Sequence, residues 1–287
     1  MKFGNMNQTP LEIHLHKAIS GKGYAFVPYL AVADPDWEVS KKLVSLLINS
    51  GADTIEIGLP FTDPVADGPV LQRAFKRVLS PEKPLKSNSK FTMERFFTFL
   101  TDIHKAHPDF PFLVMGYANL FYQTGFQKIF SRLIKLNVVG VVIPDIPFEE
   151  KDRLIKRENL QPLLSKLSWI DFITPTTTAD RLNKICRQAS GFLYFVSTKG
   201  VTGQGKNDFS LKPWKPIIAQ VRKKTKVPVL TGFGIRSAAH ALEAIEATDG
   251  FIIGSRIHEI IEQNLDIISV LENRLKDELK IILPQHS

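Results

Sequence analysis

Glu56 and Asp67 are the residues of this sequence best placed for proton chemistry. Both lie in DTIEIGLPFTDPVADGPVLQ, Asp53 to Gln72. The first part of that stretch alternates as a strand does, with Ile55 and Ile57 facing one way and Thr54, Glu56 and Gly58 the other. Prolines mixed with Asp and Gly then impose a rigid polar loop carrying Asp67, and a helical pattern runs from Pro69 through Arg77. A carboxylate inside an apolar strand costs roughly several kcal/mol of desolvation unless it is protonated or paired. Glu56 is therefore either solvated on an edge strand or an acid with a raised pKa at the mouth of a pocket. One carboxyl on a strand and one on the loop that follows can reach a ligand from two sides.

A second group of residues suits an anion. Late apolar runs lead into STKGVTGQGKNDF, TGFGIRS and GSRIHE. Glycines let a ligand approach the backbone, and a helix starting right after Gly254 and Ser255 offers free N–H groups. Gly203, Gly234, Gly254 and Ser255 together make a phosphate cradle, although any one of these glycines alone is an ordinary turn residue. Other chemistries find little support. His14 and His16 do not share a helix face, and no GxSxG elbow, P-loop or HExxH is present. The single cysteine, Cys186, excludes a disulfide framework or a cysteine zinc site and reads as a small buried apolar residue.

The elements that must position these groups form a repeat. Eight apolar runs occur: Phe26–Val32, Thr54–Leu59, Phe112–Tyr117, Gly140–Ile143, Ile170–Thr174, Phe192–Val196, Val227–Leu230 and Phe251–Ile253. Amphipathic segments separate them, as in VSKKLVSLLINSG from Val39, FQKIFSRLIKL from Phe126 and ADRLNKICRQA from Ala179. Short strands alternating with helices mean parallel βαβ units, and eight of them predict a single (β/α)8 TIM-barrel domain over residues 1–287. A helix-like lead, Leu11 to Ile19, precedes the first unit. Ser80 to Lys90 reads as a surface loop, Leu160 to Trp169 as an extra helical turn, and Ile267 to Leu283 as a closing amphipathic helix. In such a barrel the site lies at the C-terminal ends of the strands.

Composition is that of a globular chain, with 44% hydrophobic and 23% charged residues. No stretch approaches the about 18 apolar residues of a membrane span, and the first residues lack a signal-peptide core. The expectation is a soluble, cytoplasmic protein that binds neither membrane nor nucleic acid. The formal charge of +8 is spread over helix faces without a nucleic-acid motif and suits an anionic metabolite.

The chain resembles the tryptophan synthase alpha chain family over nearly its whole length. The likeness rests on FVPYLAVADP (26–35), GADTIEIGLPFTDPVADGPVLQ (51–72), GYANL (116–120), PDIPFEE (144–150), PTTT (175–178), GFLYFVSTKGVTG (191–203), GFGI (232–235) and DGFIIGS (249–255). The second of these is the most specific. The resemblance implies a lyase of tryptophan biosynthesis that reversibly cleaves indole-3-glycerol phosphate to indole and D-glyceraldehyde 3-phosphate. It also implies a partner beta chain in an alpha2-beta2 heterotetramer, with pyridoxal phosphate in the beta chain and no cofactor in this one. By motif, Glu56 would be the general acid–base and Asp67 would hold the indole N–H. Tyr29, Tyr194 and Phe233 match aromatic positions of the indole pocket, and Pro60 and Asp63 the surface that meets the beta chain. Thr202 would contact Asp67 when the loop from Ser197 to Phe209 folds over the site. The chain departs from the family pattern at Thr198, Arg236 and Arg256. Two other functions fit parts of the pattern: a different phosphate-binding barrel enzyme, and a non-catalytic barrel that binds and activates a beta chain.

Overall fold

The computed structural model describes residues 8–80, 91–197, 209–232, 234–265 and 267–284. Among the described residues nine parallel strands are present: β1 (Ala25–Ala31), β2 (Ile55–Gly58), β3 (Phe112–Met115), β4 (Val138–Val142), β5 (Ser168–Trp169), β6 (Asp171–Ile173), β7 (Leu193–Phe195), β8 (Val229–Thr231) and β9 (Gly250–Ile253). Their spatial order is β5-β4-β3-β2-β1-β9-β8-β7-β6. Only Ile170 separates β5 from β6, so these are two halves of one stave. Its first half pairs with β4 (Gly140↔Ser168) and its second with β7 (Asp171↔Leu193). That stave closes the ring, and the eight apolar runs of the sequence become eight staves. The fifth starts earlier than expected, at Ser168.

Alternation sorts side chains between two cores. Ala25, Val27, Tyr29 and Ala31 of β1 point into the barrel with Leu113, Tyr194, Leu230 and Ile252. Phe26, Leu30, Ile55, Ile57, Val114 and Phe251 point outward against the helices. The helices are α1 (Pro10–Lys22), α2 (Trp37–Asn49), α3 (Pro69–Leu79), α4 (Met93–Ala106), α5 (Ala118–Thr124), α6 (Phe126–Ile134), α7 (Phe148–Arg157), α8 (Ala179–Gln188), α9 (Lys215–Arg222), α10 (Ala238–Ala247), α11 (Ser255–Gln263) and α12 (Ile268–Ile282). The stretch expected as a helical turn before the fifth stave is a short run of hydrogen-bonded turns, including the helical-type bond from Leu167 N to Leu163 O, and it ends where Ser168 and Trp169 begin the stave.

The barrel has a closed end and an open end. Thr9 caps α1, and Pro10 suits its first turn because that N–H would lack a helical partner anyway. Leu11 and Leu15 of α1 are fully buried in the inner core, so this helix plugs the N-terminal mouth. Thr9 Oγ1 meets Ser168 Oγ at 2.7 Å, and Gly191 N donates to the Glu12 carboxylate at 2.9 Å. Polar chemistry is thereby confined to the other end. Among the described residues no helix is long and apolar enough to cross a membrane.

Candidate active site

β2 sits between β1 and β3, so Glu56 is on a central strand and not on an edge. It is 2% exposed. Burial and then the charge of Asp67 push its pKa from 4.5 up to about 8. Asp67 is partly exposed on the loop after β2. Burial raises its pKa to about 6, and a hydrogen bond from Tyr117 opposes the rise. The two carboxyls thus carry different protonation at neutral pH: Glu56 holds its proton and Asp67 is mostly ionised. Such a separated pair divides into an acid and a charge stabiliser.

Tyr117 was not singled out by sequence reasoning, although it lies within GYANL. Its hydroxyl donates to Asp67 Oδ2 at 2.6 Å and accepts from Ala66 N at 3.0 Å. Phe61 stacks on its ring at 4.8 Å between centroids. The end of β3 therefore fixes the loop carrying Asp67. The only signal in the sequence was an aromatic hydroxyl just past an apolar strand, which by default reads as core.

Of the three aromatic residues expected at the pocket, Tyr29 and Tyr194 lie on the inner face of the barrel. Tyr29 lies beside Glu56 in the β1–β2 register and is 4% exposed. A Cβ at Gly58 would overlap the Tyr29 hydroxyl, and one at Gly232 would overlap the Tyr194 hydroxyl. These two glycines therefore make room for the two rings. Phe172 stacks on Tyr194 at 5.2 Å.

Where the sequence suggested an anion site, Gly254 precedes α11 directly, Ser255 is the exposed first residue of that helix, and no side chain caps it. Gly234 has φ +81°, a conformation that favours glycine. A buried network ties this end to β1. Ala31 N donates to His258 Nε2 at 2.9 Å, which leaves the His258 proton on Nδ1, facing Asp34 Oδ2 at 2.8 Å. Arg77 of α3 grips Asp34 with two hydrogen bonds (3.0 and 2.8 Å) and also reaches Glu262 at 2.8 Å. Neither His258 nor Asp34 stood out in the sequence, because their partners are 224 positions apart.

Two of the departures from the family pattern are also explained. Arg236 clamps Glu259 of α11 with two bonds of 2.6 Å, and Arg256 bonds Glu278 of α12 at 2.8 Å and Glu259 at 3.3 Å. Arg236 thus ties the loop before α10 to α11, and Arg256 ties α11 to α12. Of the expected partner surface, Asp63 is exposed and accepts from Thr62 Oγ1 at 2.8 Å, whereas Pro60 is buried in the isolated chain. Thr198, Thr202, Gly203 and Phe233 lie outside the described residues, as does most of the loop from Ser197 to Phe209.

Comparison with known proteins agrees with the fold. A family profile described as tryptophan synthase alpha chain matches residues 15–281. A tryptophan synthase alpha chain from Leptospira borgpetersenii is 37% identical over 239 residues, which span 83% of this chain and 86% of the relative. One from Petrotoga mobilis is 36% identical over 84% of this chain and 88% of the relative. The crystal structure of tryptophan synthase subunit alpha from Legionella pneumophila superposes with a TM-score of 0.80 at 27% identity, covering 96% of this chain and 99% of that one. With a profile match over most of its length and relatives above a third identical, this chain belongs to the tryptophan synthase alpha chain family.

Proposed function

We propose that this chain is a lyase of tryptophan biosynthesis, cleaving indole-3-glycerol phosphate reversibly to indole and D-glyceraldehyde 3-phosphate. The observation that carries the reading is the buried Glu56 with its pKa near 8, facing an ionised Asp67 at the open end of the barrel. Cleavage needs one proton delivered to indole C3 and one removed from the hydroxyl on the adjoining chain carbon. Protonated Glu56 gives its proton to C3, and positive charge develops on the ring nitrogen. The Glu56 carboxylate then takes the hydroxyl proton. The C–C bond breaks, its electron pair returns to the ring, and the aldehyde forms. Glu56 ends with the proton count it began with.

Asp67, held by Tyr117, stabilises the ring N–H as it becomes cationic. Tyr29 and Tyr194 enclose the substrate, while Gly234, Gly254 and Ser255 receive its phosphate at the start of α11. Thr202, Gly203 and Phe233 complete the set by resemblance. The whole chain works as one domain, in the cytoplasm, without a cofactor of its own. Its partner is a beta chain carrying pyridoxal phosphate, met around Asp63 and Pro60 in an alpha2-beta2 assembly.

The test is indole release from indole-3-glycerol phosphate, measured with and without a tryptophan synthase beta chain. Release in both conditions is expected, faster with the partner. A chain that activates the beta chain yet releases no indole in either condition would be a non-catalytic subunit, and this reading would fail.

A further inference from the structure

The Tyr29 hydroxyl is a buried polar group with no hydrogen-bond partner among the described residues. Buried hydroxyls nearly always have one, so an orphan calls for an explanation. Leaving it empty costs stability that a phenylalanine would not. The ring cannot easily turn the oxygen elsewhere. Its Cβ and Cδ1 pack where a side chain on Gly254 would stand, at 3.1 Å, and His258 meets its face edge-on with centroids 6.0 Å apart at 62°. The His258 ring is in turn pinned by Ala31 N and Asp34.

Tyr29 occupies a particular place in the barrel. On one side β1 pairs with β2, putting Tyr29 in register with Glu56, and the hydroxyl lies over Gly58. On the other side β1 pairs with β9, whose end leads into Gly254 and α11. The ring therefore runs from its Cβ beside Gly254 to its hydroxyl over Gly58, which lies on the same strand as Glu56. In indole-3-glycerol phosphate, the segment between the reacting ring carbon and the phosphate is the hydroxylated three-carbon chain.

We propose that the Tyr29 hydroxyl recognises the hydroxyls of that chain by hydrogen bonding, making Tyr29 a specificity-determining residue and not only an aromatic wall. This rests on the lyase reading above. A site built to bond a hydroxyl rejects the ligand lacking it, because its own polar group is then left unpaired.

The test uses the Glu56→Gln background, in which the substrate is not turned over, and compares it with Glu56→Gln/Tyr29→Phe. Calorimetry gives Kd for indole-3-glycerol phosphate and for indole-3-propyl phosphate, which keeps the ring and phosphate but has no chain hydroxyls. Loss of the oxygen is expected to raise Kd for the first ligand about tenfold and to leave the second within about twofold, a difference in the range of one hydrogen bond. Equal losses for both ligands would assign Tyr29 to packing alone and overturn the proposal. So would no loss for either. In the otherwise native chain, Tyr29→Phe should lower kcat/KM for the substrate without moving the alkaline limb of the pH profile. A moved limb with hydroxyl-independent binding would assign the oxygen to Glu56 and overturn the proposal as well. A Glu56→Gln chain that binds neither ligand would defeat the lyase reading itself, a separate and recognisable failure.

Discussion

At the scale of the residue, Glu56 sets both the chemistry and a cost. Glu56→Gln is expected to fold and to lose turnover by about 10²–10⁴-fold, the usual contribution of a general acid–base. Indole release by purified variant and parent checks this, and retention of a tenth of the parent rate would remove Glu56 from the mechanism. The same substitution has a signature in stability. Glu56 titrates near 8 when folded, against 4.5 as its ordinary value. Between those values the folded chain holds more protons than the unfolded one, so stability falls as pH rises through that window. At about 1.4 kcal/mol per pKa unit, the non-titrating Gln variant should be more stable than the parent by roughly a few kcal/mol at pH 9 and should converge with it near pH 5. Urea unfolding at the two pH values measures the crossover, and a constant difference would mean that Glu56 ionises unhindered. For turnover, the pair predicts a bell. kcat/KM should decline below about pH 6 as Asp67 is protonated and above about pH 8 as Glu56 loses its proton. Asp67→Asn should abolish the acidic limb, along with most turnover. An acidic limb that survives this change would belong to another group.

Among the elements, β6 and α7 are joined by a buried ion pair that takes no part in the site. Lys151 Nζ lies 2.6 Å from both oxygens of Asp171, and each residue is 5% exposed. Asp171 alternates outward from the barrel, toward α7, with Trp169 and Ile173. Burial keeps its carboxyl raised even though Lys151 pulls the other way. Removing one partner strands the other, which costs about 3–5 kcal/mol, whereas replacing both by apolar groups is often neutral. Lys151→Met should therefore lower the urea midpoint sharply, and Lys151→Met/Asp171→Leu should recover most of it at little change in indole release. A double variant as unstable as the single one would show that the pair holds the strand in place by its charge.

For the molecule as a whole, closure depends on the end of the chain. α12 lies against α2, α10 and α11, spanning the first and last units of the barrel. Leu271, Leu275, Leu279 and Ile282 on its inner face are all 1% exposed or less. At roughly 1.5–3 kcal/mol for each buried side chain, these four approach the entire stability of a domain, about 5–15 kcal/mol. A chain ending at Ile267 is expected to lose its cooperative thermal transition and bind a hydrophobic dye, checked by calorimetry and fluorescence. A sharp transition in the shortened chain would mean that the ring closes by strand pairing alone.

The sequence by itself determined the repeat and singled out Glu56 as a candidate acid. Alternation in Thr54 to Leu59 and helical periodicity in the flanking segments are local properties, so eight staves and the facing of Glu56 opposite to Ile55 and Ile57 could be read in order along the chain. Gly254 and Ser255 marked the start of α11 for the same reason. Tertiary structure decided what depends on partners remote in sequence. Whether Glu56 is solvated or buried turned on β1 and β3 covering both edges of β2, which no feature of the strand itself specifies. The anchoring of Asp67 by Tyr117 joins positions 50 apart, and the His258–Asp34 pair joins the first and last units of the barrel. The orphaned Tyr29 hydroxyl is visible only when every neighbour around it is in place, because an unmade hydrogen bond leaves no trace in a residue pattern.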